Sequence, residues 1–415
     1  MANTLNLGDG NWATKEDSLL AYNSENNNYK PLPFSFSRES SATRVNKDGL
    51  IETVGGGQPR IDYKDNSKGA LLLEPSRSNS ITYSEDFSQS VWDTWQATKT
   101  QSNNINPKGK NGYYEISHTG SSTDNPNTRL IDVSLNGSYT LSTFIKINQS
   151  RYISLSIVDY DGDKARVYFD TINKTFTTIS NVGSPITNTA YSEFSNDWIR
   201  ISLSVNLLNA VYNEVGVGIY NPSGSFPSSS GEVISVFGAQ LEQGSYTTSY
   251  IPTQGGVETR IADSCNNAGN DQVINSTEGV LYAEVENSSP STSTRGWVLQ
   301  SSLNNGSDLI GIRFNSSQLI NFYLRANSVT TINVNVSNTY NGFIKIALKY
   351  KSGENSLWIN GVEVHSNTTA FSFNNSLSNL GNYDGLGNYG YFNIKDTKLY
   401  NTALTDQELQ ALTTI

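Results

Sequence analysis

The 415-residue sequence is poor in cysteine, in histidine and in long apolar segments, and each shortage excludes a class of protein. Its single cysteine, Cys265, excludes an intrachain disulfide. The two histidines, His118 and His365, are too few for a Cys/His zinc site, and we predict no cofactor. The apolar runs are only a few residues long, whereas a membrane-spanning helix needs about 20 apolar residues. The first residues lack the basic and apolar regions of a secretory signal, so we expect no export by that route.

Charged residues are also scarce, and the Lys and Arg residues do not form a cluster in the sequence. The chain has 28 Lys+Arg against 38 Asp+Glu, a formal net charge of −10. A nucleic-acid-binding protein needs a cluster of basic side chains to neutralise phosphates, and no such cluster is present. We therefore predict no nucleic-acid partner and no membrane partner, and we interpret the negative charge as an aid to solubility.

Alternation of apolar and polar residues runs through most of the chain and predicts an all-β protein. Clear examples are residues 139–147, 151–160 and 198–205. A period of two is what a sheet with one buried face requires. Tight-turn pairs such as Asn360-Gly361 separate the runs. Many short strands of this kind predict two β-sandwiches or jelly rolls.

One helix is predicted, over residues 402–414 at the end of the chain. Thr405 is its expected N-cap, with Glu408 three residues later in a capping-box pattern. The residues expected to form its buried stripe are Leu404, Leu409 and Leu412.

Composition divides the chain into four predicted parts. Residues 1–79 are rich in Asn, Ser, Pro and Gly, and we expect them to be ordered only by packing on something else. Residues 80–254 form a first strand-rich block and residues 272–415 a second one. Between them, residues 255–271 are predicted to be a linker because their Gly and Asn content weakens regular structure.

Three sets of residues carry longer motifs. The first set contains Arg38, Ala42, Thr43, Arg44, Val45, Gly49, Leu50, Ile51, Glu52, Pro59, Arg60, Asp62, Tyr63, Leu71–Pro75, Asn79, Ile81 and Tyr83–Phe87. The second contains Asp197–Arg200, Gly238–Glu242, Gly244 and Thr248–Thr253. The third contains Asp396, Tyr400, Asn401, Ala403, Leu404, Thr405, Glu408 and Leu409. The three sets are spread over nearly the whole chain beyond residue 34.

In these motifs the sequence resembles a family of tailed-phage virion proteins that carry a carbohydrate-binding-module-like jelly roll and a C-terminal concanavalin-like (laminin-G-like) domain. The resemblance implies a non-enzymatic head fibre or decoration protein, made in the bacterial cytoplasm and displayed on the virion surface. It further implies a homotrimer that contacts other capsid or tail proteins through residues 1–79. The alternatives are a tail-fibre or receptor-binding protein that binds host or mucosal polysaccharide and, less favoured, a polysaccharide depolymerase.

Four aromatic residues are candidates for glycan binding, because sugars stack their apolar ring faces on aromatic side chains. Trp92 and Trp95 lie close together at the start of the first block. Tyr383 and Tyr389 lie in a Gly-rich stretch of the second, where a contact loop is expected. For Trp92 and Trp95 the preferred interpretation is a place in the core of the first block or at its junction with the N-terminal segment. For the tyrosines a structural turn is an equal alternative.

Acidic residues offer two further candidates, neither of them favoured. Asp159, Asp161 and Asp163 have the alternating spacing of calcium ligands, but a solvated hairpin turn is the preferred interpretation. Glu284 and Glu286 lie on one face of a strand, as paired carboxylates do in glycosidases. We favour a solvent-facing strand edge for them and predict no catalytic residue.

Overall fold

The structure is a computed structural model, and it describes residues 3–15, 18–20, 27, 34–64, 66–119, 127–133, 135–147, 149–159, 164–183, 186–207, 213–222, 232–287, 295–301, 305–315, 319–337 and 342–415. The chain forms two compact units. Unit one comprises residues 1–41, 54–76 and 261–415, and unit two comprises residues 42–53 and 77–260.

The described residues form strands almost throughout, as predicted. Up to residue 118 the strands are β1 (Leu5–Gly8), β2 (Ala13–Lys15), β3 (Ser18–Leu20), β4 (Phe34–Ser37), β5 (Ala42–Val45), β6 (Ile51–Val54), β7 (Ile61–Asp62), β8 (Ala70–Leu72), β9 (Arg77–Asn79), β10 (Asp93–Trp95), β11 (Ala97–Ile105) and β12 (Asn111–His118). Up to residue 266 they are β13 (Asn127–Val133), β14 (Gly137–Lys146), β15 (Tyr152–Asp159), β16 (Lys164–Asp170), β17 (Thr175–Val182), β18 (Ile186–Phe194), β19 (Trp198–Leu207), β20 (Asn213–Ile219), β21 (Val233–Gln243), β22 (Glu258–Arg260) and β23 (Ser264–Asn266). The last are β24 (Glu278–Glu286), β25 (Arg295–Ser301), β26 (Leu309–Phe314), β27 (Leu319–Ala326), β28 (Val329–Ser337), β29 (Ile344–Lys351), β30 (Asn355–Ile359), β31 (Val362–Asn367), β32 (Leu377–Gly381) and β33 (Asn393–Tyr400), followed by helix α1 (Asp406–Thr413).

Unit two is a sandwich of two six-stranded antiparallel sheets. Their strand orders are β10-β13-β20-β15-β16-β17 and β11-β12-β21-β14-β19-β18. Alternate residues of the central strands, such as Ile153, Leu155 and Ile157 of β15, enter one shared core. The strands predicted from the alternating runs near residues 139, 151 and 198 are confirmed as β14, β15 and β19.

Unit one is a second sandwich. An eight-stranded sheet, β31-β30-β29-β24-β33-β8-β7 with β1 also paired to β33, belongs to the same core as a five-stranded sheet, β28-β27-β26-β25-β32. Helix α1 packs its buried Leu409 with Tyr282 and Trp358 of the eight-stranded sheet. The predicted capping box is confirmed, because Thr405 accepts from the Glu408 amide and the Glu408 side chain accepts from the Thr405 amide.

The first 79 residues do not form a unit of their own. Strand β1 pairs with β33 over residues 5–8, and β8 pairs with β33 through Leu71 and Leu72, so these segments complete the sheet of unit one. The hairpin of β5 and β6 belongs mainly to unit two. Residues 255–271, expected to be a linker, instead contribute strands β22 and β23. These residues form strands because they hydrogen-bond to segments far away in the sequence, and local composition does not predict such pairing.

A buried ionic network joins the first motif to Asp263, the residue before strand β23, within unit one. Asp263 accepts from the Arg38 guanidinium at 2.9 Å and from that of Arg60, and Arg60 also donates to Glu74 at 2.7 Å. The side chains of Arg38, Arg60 and Asp263 are fully buried. Burial alone would lower the pKa of Arg60, but the charges of Asp263 and Glu74 raise it overall, which keeps the guanidinium ionised.

Asn79 has a similar structural role in unit two. Its amide group donates to the carbonyls of Ala239 and Ile251 at 3.1 and 2.8 Å, and its Oδ1 accepts from the amides of Ile81 and Leu241 at 3.1 and 3.0 Å. The side chain is fully buried. Motif residues of both units thus satisfy buried backbone groups and charges, as a folded framework requires.

No helix among the described residues is long and apolar enough to cross a membrane.

Candidate functional site

Trp92 and Trp95 lie three residues apart in the sequence but in different environments. Trp92 is 3% exposed, packs against Phe87 at 4.5 Å between ring centroids, and donates its Nε1 hydrogen to the Tyr83 carbonyl at 2.8 Å. Trp92 therefore belongs to the core of unit two, which is the preferred interpretation from the sequence, and it has no open ring face for a ligand. Trp95 is 44% exposed on strand β10 at the edge of its sheet.

Strand register identifies the residues that share a surface with Trp95. In β15, β16 and β20 the core residues alternate with residues that must point to the outer face of the sheet. One outer row crosses the sheet from Trp95 through Asn127, Gly218, Ser154 and Tyr168, as the pairing shows.

The next outer row consists of Asp93, Arg129, Gly216, Ser156 and Arg166. A Cβ atom placed on Gly216 would lie 3.2 Å from the Ser156 hydroxyl and 3.3 Å from the Arg129 Cβ. Because Gly216 has no side chain, nothing projects from the outer surface of the sheet at this position. Small residues therefore occupy the middle of both rows.

A cluster of three tyrosines lies on the far side of this floor. The rings of Tyr168 and Tyr220 are stacked, with centroids 4.8 Å apart and an interplanar angle of 17°. The Tyr152 ring meets Tyr168 edge to face at 5.3 Å. All three side chains are partly exposed. We call the surface made of Trp95, the three tyrosines and the floor residues Ser154, Ser156, Gly216 and Gly218 the aromatic face.

Arg129 is a charged group beside the aromatic face, next to Trp95. Its guanidinium lies 5.7 Å from the centre of the Trp95 ring, within the range of a cation–π contact. It donates to Glu214 at 2.7 Å and to Asp93 at 3.2 Å. Burial would lower the pKa of Arg129, but the hydrogen bonds and charges of Glu214 and Asp93 raise it overall. The arginine is therefore held in place beside the tryptophan with its charge compensated.

The tyrosine cluster is bounded by a second ion pair, which gives unit two a predictable response to acid. The hydrogen bond from Arg151, assisted by backbone amides, lowers the pKa of Asp170 to about 2 despite its burial. Because an unfolded aspartate has a pKa near 3.9, the pair stabilises the fold above that pH and is lost as the pH falls toward 2. We expect the melting temperature of unit two to drop between about pH 4 and pH 2.

Thermal unfolding followed by circular dichroism between pH 2 and pH 6 measures this effect. The variant Asp170→Asn should show a smaller drop across that window than the parent chain. The exposed Asp48 of the same unit supplies the control, and Asp48→Asn should leave the drop unchanged. Equal pH profiles for Asp170→Asn and the parent would contradict the assignment.

Tyr383 and Tyr389 come together in unit one, as a bridged pair with ring centroids 4.8 Å apart. Tyr389 is 36% exposed and Tyr383 partly buried. The buried Asp384 fixes their loop, since it accepts from the Asn388 amide at 3.1 Å and from Arg313 at 2.8 Å. The structural turn expected from the sequence is therefore present at the base of this loop, and a role of the two tyrosines in glycan binding stays a prediction.

The acidic candidates are less informative. Asp161 and Asp163 lie outside the described residues, as does the side chain of Asp159. In the part of the chain that is described, no three acidic, histidine or cysteine side chains are grouped to hold a metal ion. Glu284 and Glu286 lie on β24, in the interior of its sheet and not at an edge, and both are partly buried. Glu284 pairs with Lys395, and Glu286 accepts from Asn393 at 2.9 Å.

The second part of the chain is similar to a known protein superfamily. Residues 268–410 match the model of the concanavalin A-like lectin/glucanases superfamily. The predicted concanavalin-like domain, placed at residues 272–415 from the sequence, is thereby confirmed in kind. No curated protein matches the chain.

Several solved structures are similar at low identity. The CBM40 of the Ruminococcus gnavus IT-sialidase, bound to alpha2,3 sialyllactose, has 18% identity and a TM-score of 0.30, and the match covers 35% of this chain and 86% of that one. Domain 4 of AbnA, a GH43 arabinanase from Geobacillus stearothermophilus in complex with arabinotriose, has 14% identity and a TM-score of 0.28, with 40% and 82% covered. Domains LG4-5 of the mouse laminin alpha1 chain have 9% identity and a TM-score of 0.24, with 69% and 89% covered.

Proposed function

We propose that the chain is a non-enzymatic carbohydrate-binding protein and that unit two binds glycan through its aromatic face. The observation that carries this proposal is the arrangement of Trp95 and the tyrosine cluster on two sides of a floor of glycine and serine. Pyranose rings have one apolar face that stacks on aromatic side chains, and their hydroxyls bond to polar groups at the rim. The aromatic face supplies both kinds of contact on strands that a packed core holds rigid.

The non-enzymatic part of the proposal rests on the carboxylates of this surface. A glycosidase uses one carboxyl group to protonate the leaving oxygen and a second as base or nucleophile. Here Asp93 and Glu214 both accept hydrogen bonds from Arg129. The two groups are therefore engaged in holding the arginine beside Trp95, which favours binding over hydrolysis. Release of reducing ends from a bound polysaccharide would overturn this part.

A glycan array probed with the full chain tests the binding function. We expect binding to at least one polysaccharide, and we expect Trp95→Ala to weaken it by about tenfold or more, as the loss of a central aromatic contact does. Tyr191, 41% exposed on the other sheet of unit two, is the matched control, and Tyr191→Ala should bind as the parent does. Equal melting temperatures of Trp95→Ala and the parent exclude unfolding as the cause. The absence of any signal on the array would refute the function.

A second proposal concerns where the protein is displayed, and it is supported by the motifs that resemble tailed-phage virion proteins. In this proposal the chain is a head fibre or decoration protein, or alternatively a tail-fibre component, that forms a homotrimer and contacts other virion proteins through its first 79 residues. Cryo-electron microscopy of purified particles would locate the protein, and light scattering would measure its oligomeric state. Its absence from purified virions would overturn the proposal.

A further inference from the structure

We infer that the ligand of the aromatic face is an internal stretch of an uncharged polysaccharide, longer than a disaccharide, which lies across the strands and contacts both Trp95 and the tyrosine cluster. This inference rests on the proposed function and adds the class of ligand, its length and its direction.

The length follows from the strand order. Trp95 is on β10 and Tyr168 on β16, which are four strand spacings apart, about 19 Å. Tyr220, which follows β20, brings the tyrosine cluster to within two spacings of β10, about 10 Å. The two rings of a disaccharide lie closer together than this, so a disaccharide on Trp95 cannot also stack on the tyrosines, whereas a longer chain can contact both.

The direction follows from the register. Trp95 and Tyr168 belong to one outer row, and the row between them contains only Asn127, Gly218 and Ser154. Short side chains leave a continuous floor across β13, β20 and β15, so a chain that joins the two aromatic groups runs perpendicular to the strands. Once one part of the sugar chain is stacked on Trp95, the rest of the chain is held close to the tyrosines, and this high effective concentration strengthens the second stacking contact.

The preference for an uncharged ligand follows from the balance of charges. The described charged side chains that accompany the aromatic face are three guanidinium groups, Arg129, Arg151 and Arg166, and three carboxylates, Asp93, Asp170 and Glu214. Arg129 is hydrogen-bonded to Asp93 and Glu214, and Arg151 to Asp170 at 2.8 Å. A uronate or sialate carboxylate would have to displace a protein carboxylate to reach either of these two arginines. The six charges sum to zero, so the surface as a whole does not attract an anion.

The test uses an array of purified neutral and acidic polysaccharides, followed by calorimetric titration of the full chain with a disaccharide and a hexasaccharide cut from the polysaccharide that binds best. We expect neutral polysaccharides to give the strongest signals and the hexasaccharide to bind at least about tenfold more tightly than the disaccharide. Trp95→Ala and Tyr168→Ala should each reduce hexasaccharide affinity by about tenfold or more and remove most of the length dependence. Tyr220→Ala provides a second variant at the cluster should Tyr168→Ala fail to fold, and Tyr191→Ala remains the control.

The outcomes separate this inference from the proposed function. Equal affinities for the two fragments, loss of binding in Trp95→Ala but in neither tyrosine variant, or a preference for acidic polysaccharides would each overturn the inference and leave carbohydrate binding intact. Failure of every polysaccharide to bind would overturn both. Strong hexasaccharide binding that depends on both aromatic groups would support the inference.

Discussion

Replacing Asp263 with alanine is expected to lower the free energy of unfolding of unit one by about 3–5 kcal/mol. The substitution leaves the guanidinium groups of Arg38 and Arg60 buried without the carboxylate that both contact. It also removes the acceptor of the Glu74 backbone amide, which donates to Asp263 at 2.8 Å. Removing one partner of a buried network costs far more than the net value of the pair, because the remaining charges stay desolvated.

Urea unfolding of the full chain measures the loss, and hydrogen–deuterium exchange of peptides from each unit assigns it to unit one. The exposed pair of Lys68 and Asp9 is the control, with side chains 55% and 44% exposed, so Asp9→Ala should cost no more than about 1 kcal/mol. If Asp263→Ala were as mild as Asp9→Ala, the buried network would not stabilise the unit.

Replacing Asn79 with alanine is expected to destabilise unit two by about 3–6 kcal/mol. The side chain satisfies four buried backbone groups, and each of them costs about 1–3 kcal/mol when it is left without a partner, although some will find a new one. The substitution removes four hydrogen bonds that link residues near 80 to β21 and to the chain beyond it. Water cannot replace them easily, because the side chain is fully buried.

The matched control for Asn79 is Asn104, an exposed asparagine on β11 of the same unit whose side chain bonds only to Ser102 and Tyr113 among the described contacts. Thermal unfolding should show almost no change for Asn104→Ala, as is usual for surface positions. A loss for Asn79→Ala of under 1 kcal/mol would mean that its backbone partners find other hydrogen bonds.

The residues of the long motifs have mainly structural roles. The motifs that carry the family resemblance include Arg38, Arg60, Glu74 and Asn79. Their side chains form buried structural contacts and not an exposed site. The residues of the aromatic face lie outside those motifs. A family resemblance of this kind therefore reports on the framework more than on the ligand.

Local pattern was enough to predict the sandwich strands and the capped helix, because both depend on short-range signals. The concanavalin-like domain was predicted from the resemblance carried by the motif that ends the chain, and not from periodicity. The pairing of β1 and β8 with β33 spans more than 300 residues, and no local pattern encodes it. Trp95 was among the predicted aromatics, but Tyr168 and Tyr220 were not. Tyr168 alternates with the core residues Val167 and Phe169, a signal that it faces outward, but only the strand order brings it into one row with Trp95.

The pairing of β9 with β22 has a consequence for how such chains can be rearranged. Arg77 and Arg260 are register partners, so the segment of unit two between them begins and ends at the same place. Insertions whose ends meet in this way are tolerated by a host fold, because the host needs no new loop to close the gap. Residues 77–260 therefore have the form of an exchangeable cassette. A graft that carries the hairpin of residues 42–53 with it would replace unit two while leaving the strand pairings within unit one in place.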